Sequence, residues 1–330
     1  MASTQRLTDW ALLILCNLIW ASQFVVVKLV QKEMGPVFAT FFPMTLAMLI
    51  LIPIVHRERK RNPSAARGRM PWRDFFDFVL IGVLGQVVAQ LFTTWGSGLT
   101  LASNGSLLQL TVPIATSIMA YFLLRERMTT LRAVSFVFAI AGVLVTSFSA
   151  PAQSDFHIDW KSLDFANSQF LLGNLFIFLG VNGSAFYNVY SKKLLQRYTP
   201  LQVLLYSYYV VFAFMFPITL WFEPSGFVRL PEFGLTVWIG LLILAVFQYA
   251  VSMVVFLHVL ARIDAMQASL MNYLMPFLGV VIAWIVLGET LTLFMILGGL
   301  LALGSTLLAT LFEKPATAED ATVEPAESPG

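Results

Sequence analysis

Residues Ala102–Phe148 read ASNGSLLQLTVPIATSIMAYFLLRERMTTLRAVSFVFAIAGVLVTSF, and residues Ala265–Phe312 read AMQASLMNYLMPFLGVVIAWIVLGETLTLFMILGGLLALGSTLLATLF. A constant shift of 163 positions lays Ala102 on Ala265, Ser106 on Ser269, Pro113 on Pro276, Glu126 on Glu289 and Thr129 on Thr292. Each stretch is an apolar helix with a proline inside it, a glutamate at its end and a second apolar helix after that. Apolar residues match cheaply in any greasy chain. A proline and a glutamate 13 residues apart in both copies do not. The chain reads as a duplication.

Composition says where such a duplication lives. Only 12% of the 330 residues are charged and 58% are hydrophobic, with a mean hydropathy of +0.79. A soluble domain carries about 25% charge. The apolar residues fall in runs of about 20, the length that crosses about 30 Å of hydrocarbon. The first run, Trp10 to Val30, is as long as the later ones and lacks a small-residue cleavage site, so it reads as a span and not as a signal peptide. The single cysteine, Cys16, lies inside it and excludes an intramolecular disulfide.

Ten spans follow, at 9–30, 36–55, 74–98, 103–124, 130–149, 170–191, 201–222, 233–260, 265–287 and 291–312. Orientation comes from the basic residues. With the N-terminus inside, 16 of the 20 Lys and Arg face the cytoplasm, leaving Lys28, Lys32, Lys161 and Arg229 outside. The expected location is the cell (inner) membrane, multi-pass, with both termini cytoplasmic. The expected organisation is a first five-helix repeat over 1–150, an extracytoplasmic loop over 151–168, a second repeat over 169–312 and a disordered tail over 313–330. The tail is rich in Pro, Ala and acids with no apolar period. Five spans per half is an odd number, so the second copy sits upside down relative to the first. The first two spans of each half also correspond, at a shift of 164: Lys28 on Lys192, Pro36 on Pro200, Pro53 on Pro217. The fold class is therefore an all-α membrane protein of ten transmembrane helices in two inverted five-helix repeats. Inverted repeats place a substrate site at their interface near mid-membrane.

Three stretches carry a family likeness: LIWASQFVVVK (Leu18–Lys28), SLLQLTVPIATSIMAYFLLRERMT (Ser106–Thr129) and ASLMNYLMPFLGVVIAWIVLGETLT (Ala268–Thr292). Together they make the chain resemble the EamA-type branch of the drug/metabolite transporter superfamily. The resemblance implies alternating-access movement of a small organic metabolite, an amino acid or similar, by efflux or exchange. A second stretch, AFYNVYSKKLLQRYTPLQVLLYSYYV (Ala185–Val210), is similar to the sixth-helix region of triose-phosphate and nucleotide-sugar translocators. Those relatives hold phosphate with basic side chains, some from late helices, whereas the last two spans here hold no Lys or Arg before Lys314. A buried dianion needs paired positive charge, so the sugar-phosphate antiporter is the alternative and not the first reading.

The prolines mark where a site is expected. Proline has no N–H and clashes with the carbonyl four residues back, which it frees while kinking the helix. For Pro113 that carbonyl belongs to Gln109, and for Pro276 to Asn272. Ser106 and Ser269 lie one turn earlier, so each half presents a hydroxyl, an amide and a freed carbonyl on one face. These faces either line a cavity or bind neighbouring helices together. The third span adds the stripe Gln86, Gln90, Thr93 and Ser97, too polar for a lipid-facing surface. The sixth adds Asn182, Tyr187 and Asn188, the eighth Gln248, Tyr249 and His258, and Tyr273 follows Asn272. Substrate contacts are thus expected at Gln109, Asn272, Ser106, Ser269, Gln86, Gln90, Asn188, Tyr187, Tyr249 and Tyr273.

Gating or kinking is expected at Pro113, Pro276, Lys28, Lys192, Glu126 and Glu289. Each lysine either serves as a gate or snorkels to the headgroups. Each glutamate pairs with a nearby base or caps the helix that follows through Thr129 or Thr292. No Asp or Glu lies in the middle third of a span. His258 is the histidine placed for proton coupling, against a plain helix-end role. No catalytic residue, no metal site and no cofactor are expected. Gly96-Ser97-Gly98 fails the intramembrane protease pattern because Trp95 stands two before Ser97. The expected partners are a small-molecule substrate and the lipid bilayer, with no nucleic acid and a homodimer left open.

Overall fold

The computed structural model describes residues 2–61, 70–124, 130–147, 168–262, 274–289 and 291–312, which are helical with no strand among them. The main helices are α1 (Ala2–Val30), α2 (Pro36–Arg61), α3 (Trp72–Leu99), α4 (Ala102–Leu123) and α5 (Thr130–Ser147). After them come α6 (Ser168–Leu195), α7 (Pro200–Phe222), α8 (Leu235–Leu260), α9 (Leu274–Leu287) and α10 (Leu293–Phe312). Seven of these, α1 to α4 and α6 to α8, are long and apolar enough to cross a membrane among the described residues. α9 and α10 are shorter apolar helices there. The protein is a multi-pass membrane protein.

Its surface and interior are exchanged relative to a water-soluble fold. Trp221 (83%), Phe122 (70%) and Ile285 (68%) stand exposed, while Gln86, Asn104, Ser106, Asn174 and Gln248 are buried. Apolar area of that extent persists only against lipid. Helix α2 runs past the expected span end at residue 55 to Arg61, because a helix need not stop at the hydrocarbon edge. Its last turns carry Arg59, Lys60 and Arg61.

The helix ends show how the chain is stitched. Thr199 caps α7 in a capping box with Gln202, behind Pro200 in the first turn. Its hydroxyl also donates to Glu58 Oε2 at 3.0 Å. Glu223, just past α7, accepts from the N–H groups of Val37 (3.1 Å) and Phe38 (2.8 Å) and so caps α2. A Cβ at Gly35 would collide with that carboxylate, so glycine leaves Glu223 room to cap without shifting. Near the start of α3, Asp74 pairs with Arg197 and accepts from the Tyr198 hydroxyl at 2.6 Å. One turn on, Asp77 takes Lys193 at 3.3 Å and the Tyr190 hydroxyl at 2.6 Å.

Packing pairs come in sets related by exchanging the halves. α3 lies along α6 as α8 lies along α1, and α4 meets α6 as α9 meets α1. α2·α7, α4·α9 and α5·α10 map onto themselves. Small residues set these distances. An added Cβ at Gly183 would stand 2.6 Å from Ala89 N, and one at Gly142 2.7 Å from Gly298 O. Close backbone approach of this kind maximises dispersion contact where no water-driven force acts between helices.

Candidate functional site

Two helices lose regular geometry at matched places. α3 is π-helical over Ile81–Val87 and α8 over Ile243–Val251. The repeat shift of 163 carries 81–87 onto 244–250, inside the second segment. A π turn holds an extra residue and turns side chains out of the α register, a feature frequent at functional sites. α4 breaks as well: its first helix ends at Leu108, a 3₁₀ turn covers Gln109–Thr111, and the helix resumes at Val112 just before Pro113. This irregular turn falls just before the proline where a kink is expected, with Gln109 on it.

These irregular stretches surround a cavity of about 70 Å³ at mid-span, room for a few waters. α3 contributes Gln86, Gln90 and Thr93, α4 Gln109 and Val112, and α6 Ser184, Tyr187 and Asn188. α1 contributes Trp20 and Gln23, α8 Gln248, Met253 and Phe256, and α9 Met275. Both halves share the wall. No lining side chain among the described residues carries a charge.

An amide chain crosses it. Gln248 Nε2 donates to Gln23 Oε1 at 2.7 Å, and Gln23 Nε2 donates to Gln90 Oε1 at 2.9 Å, joining α8, α1 and α3. Trp20 Nε1 donates to Ser252 Oγ at 2.9 Å, while the Cys16 thiol, buried behind, donates to Ser252 O at 3.4 Å. Three buried polar atoms at the wall make no hydrogen bond of good geometry: Gln86 Nε2, Gln248 Oε1 and the Tyr187 hydroxyl, which lies beside Gln86. Buried polar groups are nearly always matched. Loosely matched ones lining a cavity retain capacity to hold a guest.

Of the expected contacts, the structure brings Gln86, Gln90, Gln109, Tyr187 and Asn188 together at this cavity. Ser106 lies away from it: its hydroxyl donates to Ala102 O at 3.0 Å, and a Cβ at Gly279 of α9 would collide with Ser106 Oγ. Tyr249 is buried beside the cavity but not on its wall. Ser269, Asn272, Tyr273 and Glu126 lie outside the described residues. Sequence reasoning did not select Trp20 and Gln23, although a glutamine in the middle of an apolar run was the available signal. It noted Gln248 without assigning it a contact.

Pro276 is buried in the first turn of α9. Lys192 ends α6 beside Lys193. His258 Nδ1 lies 3.1 Å from Val254 O of its own helix, off the cavity wall. Lys28 does not snorkel. Its Nζ is 3.0 Å from Glu289 Oε1, and the Glu289 side chain is 7% exposed. Glu289 Oε1 also accepts from Ala102 N at 3.0 Å, and Oε2 accepts from Ser103 N (2.9 Å) and Ser103 Oγ (2.7 Å). Glu289 therefore caps α4, not α10. The turn after α9 brings it onto the first half, and Thr292 accepts from Met295 N at the start of α10 instead. Burial pushes the Glu289 carboxyl up, but the N–H groups of Ser103 and Ala102 and the Lys28 charge outweigh it and leave its pKa below the ordinary carboxylate range.

A family profile described as "EamA-like transporter family" matches residues 10–148 and again 171–311. A probable terminal-alkyne amino-acid exporter of Streptantibioticus cattleyicolor is 27% identical over 301 residues, 91% of this chain and 92% of that protein. An uncharacterized transporter of Archaeoglobus fulgidus is 23% identical over 91% of this chain and 96% of its own length. One solved crystal structure superposes with a TM-score of 0.63 at 16% identity, over 92% of this chain and 96% of the other. That likeness speaks for the fold alone.

Proposed function

The chain belongs to the EamA-like transporter family, whose members are transporters and not enzymes, and on that footing we propose that it moves a small organic metabolite, an amino acid or related compound, outward or in exchange. Two inverted five-helix repeats alternate the cavity between the two faces, with both termini in the cytoplasm. The single observation that carries this reading is the uncharged, amide-lined cavity shared by both halves. Its loosely held donor, Gln86 Nε2, suits a carboxylate, and the Gln248 Oε1 acceptor suits an ammonium group. Trp20, Met253 and Phe256 offer an apolar bed for a side chain. The amino-acid exporter among the relatives fits the same class. A phosphorylated substrate is disfavoured because no described cavity residue is cationic.

Thermal melting of the detergent-purified protein against amino acids, nucleosides, sugars and sugar phosphates tests it. A ligand at a hundredfold its Kd stabilises the folded state by about 2.7 kcal/mol. The expected result is a rise in Tm with a net-neutral amino acid, abolished in Gln86→Leu and Gln248→Leu. Stabilisation by sugar phosphates alone, or an undiminished response in both variants, would overturn the assignment.

A further inference from the structure

The cavity stops at Thr93 and Gln23, yet the interior beyond it, towards Lys28 and Glu289, stays polar. Tyr249 places its hydroxyl beside Gln23 and Thr94, and neither that hydroxyl nor Thr94 Oγ1 has a hydrogen bond of good geometry. Gln31, just past the end of α1 and about two turns beyond Gln23, donates Nε2 to Thr94 O at 2.7 Å and leaves Oε1 unmatched. A Cβ on Gly98 of α3 would stand 2.6 Å from that oxygen. A line of buried polar atoms without well-formed hydrogen bonds thus leaves the cavity between α1, α3 and α8. A permanently dry seam selects apolar side chains, because each unmatched group there loses its hydration for nothing. A seam that fills with water in a second state keeps them.

The walls of this seam are held towards their far end by the Gln31–Thr94 bond and by one carboxylate. α3 turns directly into α4 at Thr100 and Leu101, and Glu289 grips the first two residues of α4 while Lys28 of α1 grips Glu289. Separating α1 from the α3–α4 corner requires Glu289 to release one side. Resting on the carrier reading above, we propose that the α1–α3–α8 seam is the collapsed half of the substrate's route, and that Glu289 is the latch that closes it. The substrate leaves the cavity past Tyr249, Thr94 and Gln31, whose idle polar groups replace its hydration as it passes.

The test is thiol accessibility in membranes. Cys16, the only cysteine, is replaced by alanine, and Thr94→Cys or Gln31→Cys is introduced with Glu289 intact or changed to Gln. A charged, membrane-impermeant methanethiosulfonate is applied from the Lys28 face. The expected result is slow labelling with the latch intact and a rate about tenfold higher in Glu289→Gln, as a population shift of that size demands. Trp95→Cys, on the exposed side of α3, stays unlabelled in both backgrounds. Two cysteine positions guard against one variant that does not fold. Unreactive thiols at both sites in folded protein, or rates indifferent to Glu289, overturn the route. Ligand-induced stabilisation of the same Cys16→Ala protein is measured in parallel. If it persists while the thiols stay silent, the route falls and the carrier stands. If labelling rises while no ligand stabilises, the seam stands and the substrate assignment falls.

Discussion

Glu289 concentrates more interactions than any other ionisable side chain described here, and its energetics set a pH signature. A carboxylate accepting two backbone N–H groups, one hydroxyl and one ammonium is held by charge-assisted bonds. Glu289→Gln keeps the shape and loses the charge, so it should destabilise the fold by about 1–3 kcal/mol at neutral pH. Because the folded pKa lies below the ordinary value, this stabilisation is complete above the unfolded carboxylate range. It fades as pH falls through the depressed folded value. Melting curves of wild type and Glu289→Gln from pH 7 downwards should keep a constant gap until about pH 4 and then converge. A gap that closes near pH 6 would point to a histidine instead. Sequence showed that Glu289 sits at a helix end and repeats Glu126. It could not show which helix receives the carboxylate, since that depends on where the turn after α9 lands. Gln23 was legible in principle, for an amide amid Ser22, Phe24 and three valines is costly in lipid. Its partners, Gln248 and Gln90, are 225 and 67 residues away and no spacing rule links them.

At the scale of single helices, apolar run length placed the seven spans found among the described residues, and the break in α4 falls just before Pro113, because both follow from local chemistry. The π segments of α3 and α8 were not legible. Neither Ile81–Val87 nor Ile243–Val251 contains a proline, so no local residue marks the wider turn. Gly180 and Gly183 of α6 leave no room for a Cβ beside Ala89 and Thr93, so α3 sits nearly backbone to backbone on α6 just past its π segment. Gly183→Leu should therefore force the pair apart and lower stability by about 1–3 kcal/mol, the range for overpacking. The loss should read as a fall in Tm together with lost ligand stabilisation, since Gln86, Gln90 and Asn188 sit on the displaced surfaces. An unchanged Tm would mean that the α3–α6 seam is softer than its glycines suggest.

For the whole molecule, duplication was the strongest sequence signal, and the exchange-related packing pairs agree with it. Half of the expected site pair stayed out of reach: Gln109 lines the cavity, while Asn272 falls outside the described residues. The helix caps add a consequence for biogenesis. Both carboxylates that close the N-termini of α2 and α4 come from the second half: Glu223 is synthesised 185 residues after Phe38, and Glu289 186 residues after Ser103. A ribosome that has released only the first repeat leaves those two helix ends with open N–H groups. The first repeat alone should be a substrate for quality-control proteases. Two co-expressed fragments divided within 151–167 should rescue each other, read as the steady-state level of a tagged first fragment with and without the second.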